Sequence, residues 1–137
     1  MRPHSTSRAK LDPEVKLPRH GLVLRGWSLH AELTVTIDAD AKTLHAHAIS
    51  MNQPDDDRSR TLTDDELSRL MAAGNAAWDE TPTGPMPHAT DLREDLYVAD
   101  GEQVFYLTGR PISALGMPTG RPAASNAVAA ITAAAHR

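Results

Sequence analysis

Residues 28–38 alternate strictly between polar and apolar side chains, and this alternation constrains the fold more than any other feature of the sequence. Its apolar positions are Leu29, Ala31, Leu33, Val35 and Ile37. A period of two is typical of a strand with one buried face. After a turn at residues 38–42 the pattern resumes at residues 44–48. Aligning the apolar faces predicts a hairpin that pairs Ile37 with Leu44, since a one-residue slip would turn the apolar set outward.

A second hairpin is predicted around Asp100-Gly101, which separates the β-prone runs 96–98 and 104–107. Asp-Gly is among the strongest sequence signals for a two-residue hairpin turn. With Asp100 and Gly101 as the turn, Ala99 pairs with Glu102 and Tyr97 with Val104. Tyr97 and Tyr106 then point to the same face of the sheet.

Two amphipathic helices are predicted between and after the hairpins. Thr63 and Glu66 have the spacing of a capping box, and apolar residues follow at helical spacing as far as Trp78. Pro122 suits the first turn of a second helix, whose apolar stripe includes Ile131. Residues 51–60 are polar, and 81–90 are rich in proline, so both segments are predicted to be loops.

The predicted order of elements is ββαββα. It favours an α+β fold with a four-stranded antiparallel sheet and both helices on one face. The other face would be open, because an antiparallel sheet tolerates one solvated face. We expect residues 1–20 to form a flexible basic N-terminal arm and residues 21–137 to form a single α+β domain.

Charge is divided unevenly between these two parts. Residues 1–20 carry five cations and two anions (+3), while the rest carries nine cations and sixteen anions (−7), which gives the net −4. An acidic body argues against nucleic acid as the ligand. The absence of cysteine excludes thiolate chemistry, and no apolar run is long enough to span a bilayer. We expect a cytoplasmic protein, and its eleven Arg against three Lys are typical of a GC-rich bacterial genome.

The candidate partner-binding residues combine aromatic and acidic side chains. Tyrosine is enriched at protein interfaces, because it offers rigid contact area with a polar tip. Carboxylates would steer a cationic partner toward that contact. The predicted contact set is Tyr97, Tyr106, Asp91, Glu94 and Asp95. The alternative is that the loop at residues 81–92 or the N-terminal arm covers the two tyrosines.

A candidate metal or acid–base site lies on the first hairpin. His45 and His47 share one strand face, with Cα atoms roughly 7 Å apart. Glu32 lies diagonally across from His47, close enough to orient its ring. Zinc would need a third convergent ligand, but His30 lies roughly 13 Å from His47 in this register and His88 lies in an unplaced loop. The metal candidates are therefore His45, His47 and Glu32, with His88 as a further candidate for a histidine-dependent enzyme.

A candidate calcium site lies before the first predicted helix. Twelve residues from Asp55 resemble an EF-hand loop, with oxygen-bearing side chains at Asp55, Asp57, Ser59, Thr61, Thr63 and Glu66. Arg60 stands where the sharp turn of such a loop calls for glycine. The same residue types are also what turns and helix caps require, so a solvated loop remains the alternative.

The sequence therefore favours a binding function over catalysis. It contains no G-x-S-x-G, H-E-x-x-H, G-x-G-x-x-G or P-loop motif. We expect a small acidic protein-binding domain of the inhibitor or immunity type, which occludes a basic partner and needs no cofactor. The alternatives are a small metal- or histidine-dependent enzyme that uses the open sheet face, and a structural homodimer that buries it.

Overall fold

The computed structural model describes residues 2–88, 91–113 and 119–137. In chain order its elements are β1 (Thr6–Ser7), a 3-10 helix (Arg8–Lys10), β2 (His20–Ser28), β3 (Ala31–Asp38), β4 (Thr43–Ser50), β5 (Asp56–Thr61), α1 (Asp64–Asp79), β6 (Leu92–Asp100), β7 (Gln103–Arg110) and α2 (Pro122–Ala135). The described residues confirm the α+β class. Neither α1 nor α2 combines the length and hydrophobicity that a membrane-spanning helix needs.

The prediction of a four-stranded sheet is wrong. Across the described residues, the strands form one seven-stranded antiparallel sheet. Its order is β1-β7-β6-β2-β3-β4-β5. The two predicted hairpins, β3–β4 and β6–β7, do not meet edge to edge, because β2 lies between them and pairs with both β3 and β6. β1 and β5 extend the sheet at its two ends.

β2 was missed because the alternation in residues 28–38 runs through a chain reversal. β2 ends at Ser28 and β3 begins at Ala31, so the alternating segment contains a tight turn rather than one strand. Leu29, expected on the buried face, is 70% exposed in that turn. A separate signal marked β2: residues 22–24 are consecutive apolar residues, typical of a strand covered on both faces.

β5 was missed because its residues are polar. Residues 51–60 were predicted to form a loop. In the structure, however, residues 56–61 form a strand that pairs with residues 43–48 of β4. Arg60 lies on the helix side of this edge strand, where it donates to both oxygens of Glu66, at 2.9 and 2.7 Å, and to the Ala134 carbonyl. Ion pairs and helix-end carbonyls therefore hold an edge strand that an apolar pattern would not reveal.

The register of the first predicted hairpin is confirmed. Ile37 pairs with Leu44, Val35 with Ala46 and Leu33 with Ala48. Matching the buried faces of two alternating segments excludes a register shifted by one residue, because such a slip would turn the apolar set outward.

The register of the second hairpin differs by two residues from the prediction. Tyr97 pairs with Tyr106, and Ala99 pairs with Val104. The two loop residues are Gly101 and Glu102, and Gly101 has a φ of +63°. Glycine at the first central position of a tight hairpin turn adopts this conformation without a steric penalty. Because the shift is even, each side chain keeps its predicted face.

Both helices pack on one face of the sheet and form a single core with it. Thr63 caps α1 by accepting from the backbone N–H of Glu66, as predicted. Pro122 begins α2, and Glu80 accepts from the backbone N–H groups of Ala123 and Ala124 at that helix's start. Trp78 and Ile131 are fully buried in the core.

Residues 2–19, predicted to be a flexible arm, lie against three sides of the domain. Arg2 stacks on Trp78 at 4.1 Å from the ring centroid, and the Trp78 Nε1–H donates to the Pro3 carbonyl. β1 then pairs with the edge of β7. The arm continues onto the sheet face opposite the helices, where its apolar residues pack over Val23 and Tyr97.

Candidate functional site

The sheet face opposite the helices divides into two halves that differ in exposure. The arm-covered half consists of the outward residues of β2, β6 and β7 that pack together: Val23, Tyr97, Ala99 and Val104. The acidic half consists of the outward residues of β3, β4 and β5 with the adjoining Asp55: Glu32, Thr34, Thr36, His45, His47, Asp55, Asp57, Ser59 and Thr61.

The arm-covered half is a second, smaller hydrophobic core. Three apolar residues of the arm, Leu11, Val15 and Leu17, pack against it. Tyr97 is only 5% exposed there. Burial raises the pKa of the Tyr97 hydroxyl above its ordinary value of 10, and the charge of nearby Asp95 adds to this effect. This half therefore contributes packing rather than an accessible surface.

The two predicted aromatic contact residues are neighbours but differ in exposure. The rings of Tyr97 and Tyr106 stack with centroids 6.1 Å apart. Tyr106 is 44% exposed, whereas Tyr97 is buried. The arm covers Tyr97, which is one of the two alternatives that the sequence left open for this face.

The three predicted acidic contact residues do not share a surface. Adjacent residues on a strand point to opposite faces, so Glu94 lies on the helix side and Asp95 on the other. Both are buried: Glu94 accepts from the Ser113 backbone N–H at 2.8 Å, and Asp95 from that of Gly109 at 2.7 Å. Asp91 is exposed. The pairing between β6 and β7 is irregular next to Asp95. This irregularity brings the backbone N–H of Gly109, a residue with a φ of +73°, within reach of the Asp95 carboxylate.

The acidic half is open to solvent and carries a distinctive charge pattern. Glu32, Asp55 and Asp57 are exposed. The outward positions of β3, β4 and β5, all of which are described, include no Lys or Arg. His45 Nε2 contacts a carboxylate oxygen of Asp57, and His47 Nε2 lies 3.8 Å from Asp55 Oδ2. Carboxylates and histidines thus form a mixed acidic surface.

The predicted zinc residues lie on this acidic half but do not converge. His45 and His47 project from β4, and each is near an aspartate rather than near Glu32. Glu32 pairs directly with Ile49, one position further along the hairpin. In the parts of the chain that the structure describes, no three His, Asp or Glu residues are close enough together to hold a metal ion.

The predicted calcium residues are divided between the two sides of β5. Asp57 and Ser59 lie outward and exposed, whereas Glu66 is buried on the helix side. Glu66 binds Arg60 and also accepts from Arg137 at 3.1 Å. The hydrogen bond from Arg60 lowers the pKa of Glu66 to about 2, despite the opposing effect of burial. The strand places Asp57, Ser59 and Thr61 in an extended row on one face, roughly 7 Å from one to the next, whereas an ion-binding loop would gather them around one point.

The sequence analysis missed a basic aromatic cluster on the same sheet face. Trp27 of β2 has the guanidinium groups of Arg25 and Arg93 at 4.8 and 5.1 Å from its ring centroid. Arg93 is its cross-strand neighbour on β6. This cluster could be predicted only if β2 was recognised as a strand, and the apolar run at residues 22–24 was the signal for it.

Comparison with known proteins does not add a functional assignment. No protein-family model matches the chain, and no curated protein matches it.

Proposed function

We propose that this protein is a protein-binding domain whose acidic half holds a basic partner. The observation that carries the proposal is the unequal use of one sheet face. The chain's own arm covers one half, while the other half stays exposed and presents carboxylates without Lys or Arg from its three strands. Such a surface attracts a cationic partner and repels an anionic one.

Three of the arm's five cations are engaged outside the acidic half, while Lys16 lies beside Thr34 and Thr36 at its border. Arg2 pairs with Asp79 at 2.8 Å, and Arg19 pairs with Glu102 at 2.8 Å. Arg8 donates to backbone carbonyls, including those of Gly101 and Pro18. These contacts lie outside β3, β4 and β5, so the field of Glu32, Asp55 and Asp57 is available to a second molecule.

The mechanism in this proposal is occlusion, in the manner of an inhibitor or immunity protein. Long-range attraction accelerates encounter, and contact then covers the partner's basic site. The proposal moves the contact from Tyr97, Glu94 and Asp95, which are buried, to the exposed carboxylates of the acidic half. No covalent chemistry is required of the domain.

The test uses a fluorescent lysine-rich peptide as a basic probe and two charge-matched variants. The first variant combines Glu32→Gln, Asp55→Asn and Asp57→Asn; the control combines Asp12→Asn, Asp65→Asn and Glu102→Gln, three exposed carboxylates elsewhere. We expect the first variant to weaken binding about tenfold, since each exposed charge pair contributes roughly 0.5 kcal/mol. The control should change it less than about threefold.

Equal losses in the two variants would contradict the proposal, because they would show that net charge alone attracts the probe. Light scattering on the unmodified protein adds an independent check. A stable dimer in which the acidic half is buried, detected as loss of probe binding at high protein concentration, would also contradict it and would favour the structural homodimer.

A further inference from the structure

A cavity of about 330 Å³ lies mainly on the helix side of the sheet, and its lining also includes Glu32. It opens between the sheet and the C-terminal part of α2, where β2 and β4 end and β3 and β6 begin. Its apolar wall includes Leu24, Leu33, Ala48 and Leu92. Its volume lies at the lower end of the range of small-molecule sites in proteins.

The cavity exists because the sheet carries small residues at this end. One cross-strand row on the helix side runs Glu94–Gly26–Leu33–Ala48. A Cβ atom placed on Gly26 would meet no atom within 4 Å. Gly74, in contrast, has Leu22 packed against the position its Cβ would take. The space beside Gly26 is therefore open, whereas that beside Gly74 is filled.

Glu94 is a buried carboxylate in the cavity wall, which also includes the polar side chains of Ser50, Thr132 and His136. Glu94 is only 7% exposed. Its Oε1 accepts from the Ser113 backbone N–H, and within the described residues its Oε2 accepts no hydrogen bond. A carboxylate in a largely apolar wall would bind an entering donor favourably, because hydrogen bonds to a charged group are stronger than those between neutral groups.

We propose that this cavity binds a small amine with an apolar body. The ammonium group would donate to Glu94 Oε2, and the body would lie against Leu24, Leu33 and Leu92. Charge favours a cation over an anion, because the carboxylates of Glu94 and Glu32 line the cavity together with one histidine, His136, and its described lining includes no Lys or Arg. Glu32 belongs both to this cavity and to the acidic half, whereas Glu94 is no part of the acidic half, so Glu94→Gln tests the cavity separately from the proposed protein contact.

The experiment compares hexylamine, hexanol and hexanoate as probes by isothermal titration calorimetry. They share an alkyl body and differ in the polar group. We expect hexylamine to bind the protein about tenfold more tightly than hexanol, because a hydrogen bond to a charged group is worth at least about 1.5 kcal/mol. Hexanoate should bind more weakly than hexanol.

Three variants then locate the binding. Gly26→Leu fills the cavity and should abolish binding of all three probes, while Ala72→Leu, at an exposed position of α1, should leave it unchanged. Glu94→Gln keeps the acceptor for Ser113 and should reduce the preference for hexylamine over hexanol to about one. Unchanged hexylamine binding in a folded Gly26→Leu variant would overturn the site. Equal binding of amine and alcohol by the unmodified protein would overturn the ligand class.

Discussion

The two halves of the sheet face opposite the helices are built from the same sheet but behave as different parts of the molecule. One cross-strand row makes the difference visible: Tyr106, Tyr97, Val23, Thr36, His45 and Ser59 follow one another across five pairs of strands. Tyr97 and Val23 are buried beneath the arm, whereas His45 and Ser59 are exposed. Burial in one half contributes stability, and exposure in the other leaves charge available for recognition.

The largest expected effect is a difference in stability between substitutions in the two halves. Tyr97→Ala should lower the free energy of unfolding by about 3–5 kcal/mol, because it removes a buried aromatic ring. His45→Ala, in the same row, should change it by less than about 0.5 kcal/mol. Urea unfolding followed by circular dichroism measures both. Similar losses for the two variants would remove the distinction between the halves.

A smaller effect is expected where β5 is attached beneath the acidic half. Glu66→Gln should cost about 1.5–3 kcal/mol at pH 7, because it weakens charged hydrogen bonds from Arg60 and Arg137. Asp57→Asn, on the outward side of the same strand, should cost less than about 1 kcal/mol.

Glu66 should also make the free energy of unfolding depend on pH in the acid range. The pKa of Glu66 is about 2 in the folded protein against an ordinary value of 4.5. Its contribution is therefore fully present above pH 4.5 and is lost as the pH falls toward 2. Glu66→Gln should flatten the stability profile over this interval. A variant that retains the full slope between pH 4.5 and 2 would contradict the role given to this ion pair.

The smallest effect tests whether the arm is what covers Tyr97. The chain has two tyrosines, so in a Tyr106→Phe background the absorbance titration reports Tyr97 alone. Its pKa should lie above 10 because of burial. Val15→Ser in the arm should lower that pKa toward 10 and cost about 1 kcal/mol of stability. A control variant, Lys10→Ser, lies in the arm but is exposed, and it should leave the titration unchanged.

The parts of the fold that could be predicted were those specified by local patterns. Alternation placed Ile37 opposite Leu44, and local capping placed the starts of α1 and α2 correctly. β5 escaped detection because Arg60 reaches its partners Glu66 and Ala134 through tertiary packing, which no local period encodes. The second hairpin shows the limit of a turn motif, since Gly101 could serve as either loop residue.

Predicting the candidate site required knowledge of what covers each face. Tyr97 and Tyr106 were correctly placed on one face, but the contact of Val15 and Leu17 with that face depends on the path of the arm. Glu94 and Asp95 read as solvated charges in sequence, and their burial depends on backbone donors from distant residues. Side-chain direction was therefore predictable, whereas exposure was not.

The most direct test of whether a basic partner binds the acidic half is to map the binding residue by residue. Isotope-labelled protein is titrated with the lysine-rich peptide, and backbone amide chemical shifts are followed by NMR. We expect the largest chemical-shift changes at Glu32, His45 and Asp57, and little change at Tyr97 and Ala99. Changes centred on the arm-covered half, or spread evenly over α1 and α2, would contradict it.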